Sequence, residues 1–299
     1  MRHVRVSPAP AVRRVLRVPV DSPFPPPPTP RVTVVTVVRN GAGTIRDTID
    51  SVLAQTYPAI EHWVIDGAST DGTPQLLATY GDRLPHWTSE PDTGIADAFN
   101  KGVRRATGDY LHFLSADDAY ASPTALAEVM DAAAARDWPE VFYGDCLMVD
   151  HSTGAALWRV PKHAADVSLS RGRAQPHPST FMHRRYFERF GDFDTSYRVA
   201  MDLELFLRGI PVVGTTYVPV LVARVRTGGL SMTQATIGYA EAVRAMDAHG
   251  TFRTPLHRWL MRGRFATRRW SRAAVVRLGL YAAVGHWRRV RQRLGGHAG

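Results

Sequence analysis

Residues 32–38 read VTVVTVV, a run of β-branched, almost wholly apolar residues with no alternation. Such a run has two apolar faces, so it suits a strand buried on both sides, the condition of a central strand in a parallel sheet covered by helices. The adjoining residues support this: Asn40-Gly41-Ala42-Gly43 makes a turn, Thr44 is a candidate N-cap, and Ile45, Ile49, Val52 and Leu53 recur at helical spacing. The unit then repeats. A strand over 60–65 leads through DGASTDG into a helix opened by Thr73-Pro74; a strand near 86–89 leads to a helix over 95–106 and a strand over 110–114. Alternating strands and helices with short links predict a doubly wound α/β domain with a mostly parallel sheet, binding its ligand at the carboxyl ends of the strands.

Beyond residue 120 the pattern loosens. Strands are predicted over 141–143 and 181–183, around Val212 and over 220–225, with a hairpin over 147–159 and a helix from Met201 to Leu207. This is a mixed β half, suited to an acceptor site. Residues 1–30 hold Pro8, Pro10, Pro19, Pro23, Pro25 to Pro28 and Pro30, a density that forbids helix and predicts an extended or disordered tail. The expected division is a tail over 1–30, a folded domain over 31–231 (a regular half over 31–120 and a mixed half over 121–231) and a basic helical extension over 232–299. Charge follows that division. Of 37 Lys and Arg, 12 arginines lie in 250–299 with no acid and 6 in 1–31, leaving 19 against 26 acids in between. An acidic body with basic ends argues against a nucleic-acid-binding core and for an appendage that meets an anionic surface. The single Cys146 excludes an internal disulfide, and no apolar stretch reaches the roughly 18 residues of a membrane span. The cytoplasm is the expected compartment.

Asp66 follows one predicted strand, Asp117-Asp118 another, and Asp145 a third. The first two must project from the same sheet edge. Adjacent carboxylates there suit Mg²⁺ or Mn²⁺, which need few protein ligands when a phosphate supplies the rest, although such a pair can also merely cap the next helix. A dinucleotide-binding oxidoreductase would explain Gly41-Ala42-Gly43, but Arg46 stands where its fingerprint needs a third glycine, and Asp117-Asp118 would be left without a role. A non-catalytic protein holding membrane or nucleic acid would explain only the basic tail.

The strings VTVVTVVRN (32–40), SVLAQTYPAIEHWVIDGASTDGT (51–73), SEPDTGIADAFNKGVRRATGDYLHFLSADD (89–118), VFYGD (141–145), HPSTFMHRRYFERFGDFD (177–194) and VAMDLELFLR (199–208) resemble, in order, the family 2 inverting glycosyltransferases of GT-A fold, particularly bacterial capsule and exopolysaccharide members. The resemblance covers about residues 31–231 and implies a nucleotide-sugar donor, a carbohydrate or lipid-linked acceptor and a divalent cation. It places Thr36, Val38 and Asn40 under the nucleotide and Asp66 at the base. Ser115-Ala116-Asp117 takes the DxD position, with Ser115 replacing its first acid, Asp117 on the diphosphate or ribose, and Asp117 and Asp118 on the metal. Asp92 and Lys101 are candidate donor contacts, His177 and Asp145 lie on the acceptor side, and Asp202 matches the general base. Gly228-Gly229-Leu230-Ser231 resembles a loop that closes near the diphosphate. Residues 253–294, with Val276, Leu280, Val284 and Trp287 on one helical face and Trp259 and Trp270 as interfacial aromatics, are expected either to lie on the inner surface of the membrane or to form a helical hairpin that packs on the core or a partner.

Overall fold

The computed structural model describes residues 29–161, 167–252 and 254–277. Strands β1 (Val32–Val38), β2 (Ile60–Asp66), β3 (Trp87–Ser89) and β4 (Tyr110–Phe113) alternate with helices α1 (Ile45–Leu53), α2 (Thr73–Ala78) and α3 (Ile95–Arg105). Every residue of β1 is buried. Its side chains divide by parity: Val35 and Val37 join the cluster containing Phe99 of α3 and Phe113, while Val32 and Val34 face Tyr110 and Tyr57 on the other side. The strand is thus apolar throughout because both faces are covered. Helix α3 lies so close that a Cβ on Gly102 would come 2.2 Å from Val35 Cγ1.

The sheet order is β3-β2-β1-β4-β8-β6-β9-β5, with β7 paired to β6. From β1 the chain winds outward to β2 and β3, then returns through α3 to β4 on the opposite side of β1, with all three pairings parallel. The switch point therefore falls between the ends of β1 and β4. The remaining strands are β5 (Ala119–Tyr120), β6 (Val141–Val149), β7 (Ala156–Val160), β8 (Thr180–His183) and β9 (Thr216–Arg226). Here β8 is antiparallel to both β4 and β6, and β9 runs parallel to β6.

Two sequence expectations for this half are corrected. Asp145 does not follow its strand but lies inside β6, which runs on to Val149. Val212 is helical: α6 spans Met201–Val213 through Pro211, so its β-branched end is not a strand. Helices α4 (Ala125–Ala134), α5 (Arg184–Phe190), α7 (Leu230–Thr233), α8 (Ala235–Ala248) and α9 (Pro255–Arg277) complete the description. The last two are built into the fold: Ala242, Ala245 and Met246 of α8 and Met261 and Phe265 of α9 share a core cluster with Leu205 and Phe206 of α6. No helix among the described residues is long and apolar enough to cross a membrane. Residues 1–28 of the proline-rich tail, and Leu280, Val284 and Trp287, lie outside the described residues.

Candidate active site

A cleft of about 1050 Å³ opens at the switch point. The end of β1 supplies Val38 and the loop after it Asn40 and Gly41, and the turn after β4 supplies Ser115, Asp117 and Asp118. From the second half come Trp158, Gln175, His177, Asp202, Arg226 and the 229–232 segment. The loop after β1 is pinned by the one after β2. Asn40, at φ 53° in the left-handed region that Asn tolerates, donates its N–H to Ser69 Oγ at 2.6 Å and accepts from the Thr70 N–H at 2.9 Å. The N–H groups of Gly41 and Ala42 donate to Thr73 Oγ1 (3.1 Å) and Asp71 (2.9 Å).

Four predicted first-half contacts differ in placement. Val38 and Asn40 line the cleft, whereas Thr36 is buried beneath it, bonded to His62 Nε2 at 3.0 Å. Asp66 is fully buried at the end of β2 and accepts from the Ser69 N–H (3.1 Å), the Ser69 hydroxyl and the Ser89 hydroxyl (2.6 Å). Asp92 tucks against Gly67 and accepts the Gly94 N–H at 2.9 Å. Lys101 donates to the Pro91 carbonyl at 2.6 Å and lies within 4 Å of Glu90 and Asp97, so it braces the 90–97 loop. None of Thr36, Asp66, Asp92 and Lys101 is a lining residue.

The acidic turn is the electrostatic centre. Asp118 is 4% exposed; its N–H donates to the Ser115 carbonyl at 3.0 Å, and its own carbonyl accepts from Thr48 Oγ1 at 2.6 Å. Burial, then the neighbouring Asp117 charge, pushes its carboxyl well above the usual carboxylate range, and burial raises Asp117 too. The Arg226 N–H donates to Asp118 Oδ1 at 3.3 Å, while the guanidinium bonds Asp47 and the His151 carbonyl. Two desolvated carboxylates with so little compensation fit a hard divalent cation. Among the described residues no group of three or more His, Cys, Asp or Glu could hold a metal, so a cation at this turn would take the rest of its shell from water and phosphate oxygens. Gly229 keeps room for them, since a Cβ there would stand 3.4 Å from Asp117 Oδ2.

On the opposite half, Asp202 occupies the first turn of α6, with Oδ1 accepting the Leu203 N–H at 2.7 Å. Apolar surroundings raise its pKa from 3.8 to about 6. Its helix is held from outside. Glu241 of α8, 8% exposed, accepts the N–H groups of Arg198 (2.9 Å), Val199 (2.9 Å) and Ala200 (3.0 Å), just before α6. Glu204 faces elsewhere, paired with Arg208 at 2.9 Å and His249 at 3.0 Å. His177 stacks on Phe113 with Phe99, Phe193 and Phe206 around it; burial lowers its pKa to about 3, so the ring is neutral. Asp145 is not brought into the cleft: it pairs with Arg159 and accepts the Tyr217 hydroxyl at 3.0 Å. Gln175, Arg226, Trp158 and Glu241 were not foreseen. They carry no periodic or motif signal of their own, and only the proximity of Gln175 to His177 and of Arg226 to Gly228-Gly229 hinted at two of them.

Residues 33–189 match the family model described as Glycosyl transferase family 2. An uncharacterized glycosyltransferase of Mycobacterium tuberculosis (strain CDC 1551 / Oshkosh) is 32% identical over 181 residues, 60% of this chain and 68% of its own length. A PGL/p-HBAD biosynthesis glycosyltransferase of Mycobacterium bovis (strain BCG / Pasteur 1173P2) is 30% identical over 210 residues, 68% of this chain and 80% of its own. In three dimensions the chain is similar to Staphylococcus aureus TarS 1–349 in complex with UDP-GlcNAc (TM-score 0.61, 16% identity, 81% of this chain and 73% of that one). It is also similar to the mannosyltransferase PcManGT of Pyrobaculum calidifontis in complex with GDP-Man and Mn²⁺ (TM-score 0.54, 20% identity, 91% and 88%). The fold is the GT-A fold.

Proposed function

We propose that this chain, which belongs to glycosyl transferase family 2, is an inverting enzyme that moves a sugar from a nucleotide diphosphate, a uridine diphosphate sugar, to a hydroxyl of a carbohydrate or lipid-linked acceptor. The observation that carries this is the shared cleft: Asp117 and Asp118 on the first-half wall and Asp202, with its pKa raised to about 6, on the other. An acceptor hydroxyl is a weak nucleophile at neutral pH. The Asp202 carboxylate takes its proton as the oxygen bonds to the anomeric carbon, and the bond to the diphosphate breaks on the opposite face with its electron pair leaving on the phosphate oxygen. Asp117 and Asp118 would hold Mg²⁺ or Mn²⁺, which when bound stabilises the charge of the departing diphosphate. Asn40 and Val38 bound the nucleotide side, with Asp66, Thr36, Asp92 and Lys101 shaping the loops behind it. Asp202→Asn should lower transfer roughly 10²- to 10⁴-fold with donor affinity nearly unchanged. Normal transfer by that variant, or a product with retained anomeric configuration, sinks the assignment.

An anionic membrane on the cytoplasmic face is the proposed working surface. Leu256, Trp259 and Leu260 form an exposed apolar ridge on α9 (63%, 69% and 53% exposed), within a stretch rich in arginine and free of acid. At roughly 1 kcal/mol per basic residue near an anionic leaflet, a few of these arginines suffice for binding at low salt. Equal sedimentation with neutral and anionic vesicles would remove the electrostatic part of this reading.

A further inference from the structure

The cleft contains polar atoms that the proposed chemistry does not use. Gln175 is 2% exposed and lines the cleft, yet among the described residues neither its Oε1 nor its Nε2 has a hydrogen-bond partner. Two residues on, the cleft-lining His177 has a buried Nε2 that is likewise unpaired. Leaving such groups unsatisfied is unfavourable, so a fold keeps them only where something else satisfies them.

The segment carrying them is held rigidly. His177 stands between Pro176 and Pro178, whose rings fix φ. The Pro176 carbonyl accepts Thr180 Oγ1 at 2.7 Å and the Ser179 N–H at 3.2 Å. The Pro178 carbonyl bonds His112 Nε2 at 3.0 Å, and Ser179 Oγ donates to the Gly144 carbonyl at 2.8 Å. With the backbone pinned on three sides, the unpaired side-chain atoms are not the product of a loose loop.

We infer that Gln175 and His177 form a hydroxyl-reading subsite that recognises a polyhydroxylated sugar ring and sets which sugar the enzyme accepts. A primary amide offers two donors and an acceptor in one plane, matching a pair of neighbouring hydroxyls, each of which can donate and accept. The neutral imidazole adds one further nitrogen, and its proton position follows the hydroxyl it meets. Trp158 and Met148 line the same cleft and supply apolar surface for the ring's C–H face. An ionic ligand fits less well, because neither Gln175 nor the neutral His177 carries charge. A site built this way discriminates strongly against analogues lacking the hydroxyl, since its own polar atoms are then left buried and unpaired.

The inference rests on the glycosyltransferase reading but not on Asp202 as base, and the ring recognised belongs to either the donor or the acceptor sugar. Gln175→Leu keeps the volume and removes all unpaired amide atoms. The free variant should therefore melt at or above the wild-type temperature, the opposite of what loss of a structural hydrogen bond does. The wild-type protein should prefer the hydroxylated sugar over its monodeoxy analogue, and the variant should lose roughly 10- to 100-fold of that preference. Loss seen in calorimetric binding of a nucleotide sugar, with binding of the bare nucleotide diphosphate unchanged, assigns the subsite to the donor ring. Loss confined to the acceptor KM assigns it to the acceptor. A variant that melts lower, or that keeps the full preference in both arms, overturns the inference. Asp202→Asn run in parallel separates the two readings: normal transfer by that variant removes the base assignment while leaving the Gln175 comparison intact.

Discussion

The two halves of the molecule build their shares of one cleft by different means. In the first half, site residues stand at the ends of the adjacent buried parallel strands β1 and β4 and on the short loops that follow them, so strand order translates directly into position on the rim. In the second half, Gln175 and His177 come from a proline-bracketed turn, Asp202 from a helix start, Arg226 from a strand end, and the bracing Glu241 from a helix far along the chain. The first-half wall is thus an outcome of topology, and the second-half wall an outcome of particular long-range contacts. That difference predicts unequal responses to substitution.

Apart from Asp202→Asn, the largest expected effect lies on the first-half wall. Asp117→Ala removes a carboxylate from the proposed cation site, and charge stabilisation of that kind amounts to several kcal/mol. The rate should fall on the order of 10²- to 10³-fold, chelation should do the same to the wild type, and added Mn²⁺ should restore only the wild type. Activity that survives both changes would move the leaving-group role to Arg226.

Next in size is the brace. Glu241→Ala strands the N–H groups of Arg198, Val199 and Ala200, and leaving buried donors unpaired is unfavourable by about 1–3 kcal/mol. The variant should melt lower and lose turnover, because the entry to the Asp202 helix loosens, while nucleotide diphosphate affinity stays the same. Equal loss of nucleotide affinity would show that the halves are not separable.

The matching change in the first half is Gly102→Ala, whose Cβ would meet Val35 Cγ1 at 2.2 Å against a β-branched side chain with little freedom to turn. Overpacking of about 1–3 kcal/mol should outweigh alanine's better helix propensity. Gly238→Ala on α8, where the contact is Val199 Cγ1 at 2.9 Å, should be milder. Thermal melts of the pair check the order, and a reversal would show the second half to be the tighter.

The same contrast governs what the sequence reveals. VTVVTVV announced a central strand because burial on both faces leaves no polar position, and Asp117-Asp118 stood out by following one. Val212 misled because Val212-Val213 look strand-like in isolation, whereas packing carries α6 through Pro211 to that point. Asp145 misled because a strand bulged between Tyr143 and Cys146 reads locally as a strand end. Helix α8 contributes Ala242, Ala245 and Met246 to the core alongside α6, a contact invisible to any local window and the reason Glu241 could not be foreseen. Gln175 escapes for a further reason: its significance is the absence of partners, which only coordinates disclose.

The smallest effect concerns pH and sets rate against stability at one atom pair. Burial raises the Asp202 carboxyl from 3.8 to about 6, so in the absence of ligand half of it is ionised near pH 6 and about a tenth near pH 5. If the carboxylate is the base, kcat/KM, which reports the free enzyme, should sit on a plateau above neutrality, fall about twofold at pH 6 and approach a tenfold drop per unit below it. Stability should run the other way. With the folded pKa above the unfolded one, the folded chain holds the proton more tightly, so the stabilising contribution is complete below about pH 4 and is lost as pH rises through 6. Asp202→Asn never carries the charge that these surroundings disfavour, and its melting temperature should exceed that of the wild type above pH 6, the gap closing toward pH 4. No comparable gap is expected for Asp145→Asn, which deprives Arg159 of its carboxylate partner and should instead destabilise the fold. Paired melts across pH 4–8 test this directly: if Asp202→Asn melts below the wild type at pH 8, Asp202 is a structural anchor of α6 and not a carboxylate held at an energetic disadvantage for its chemistry.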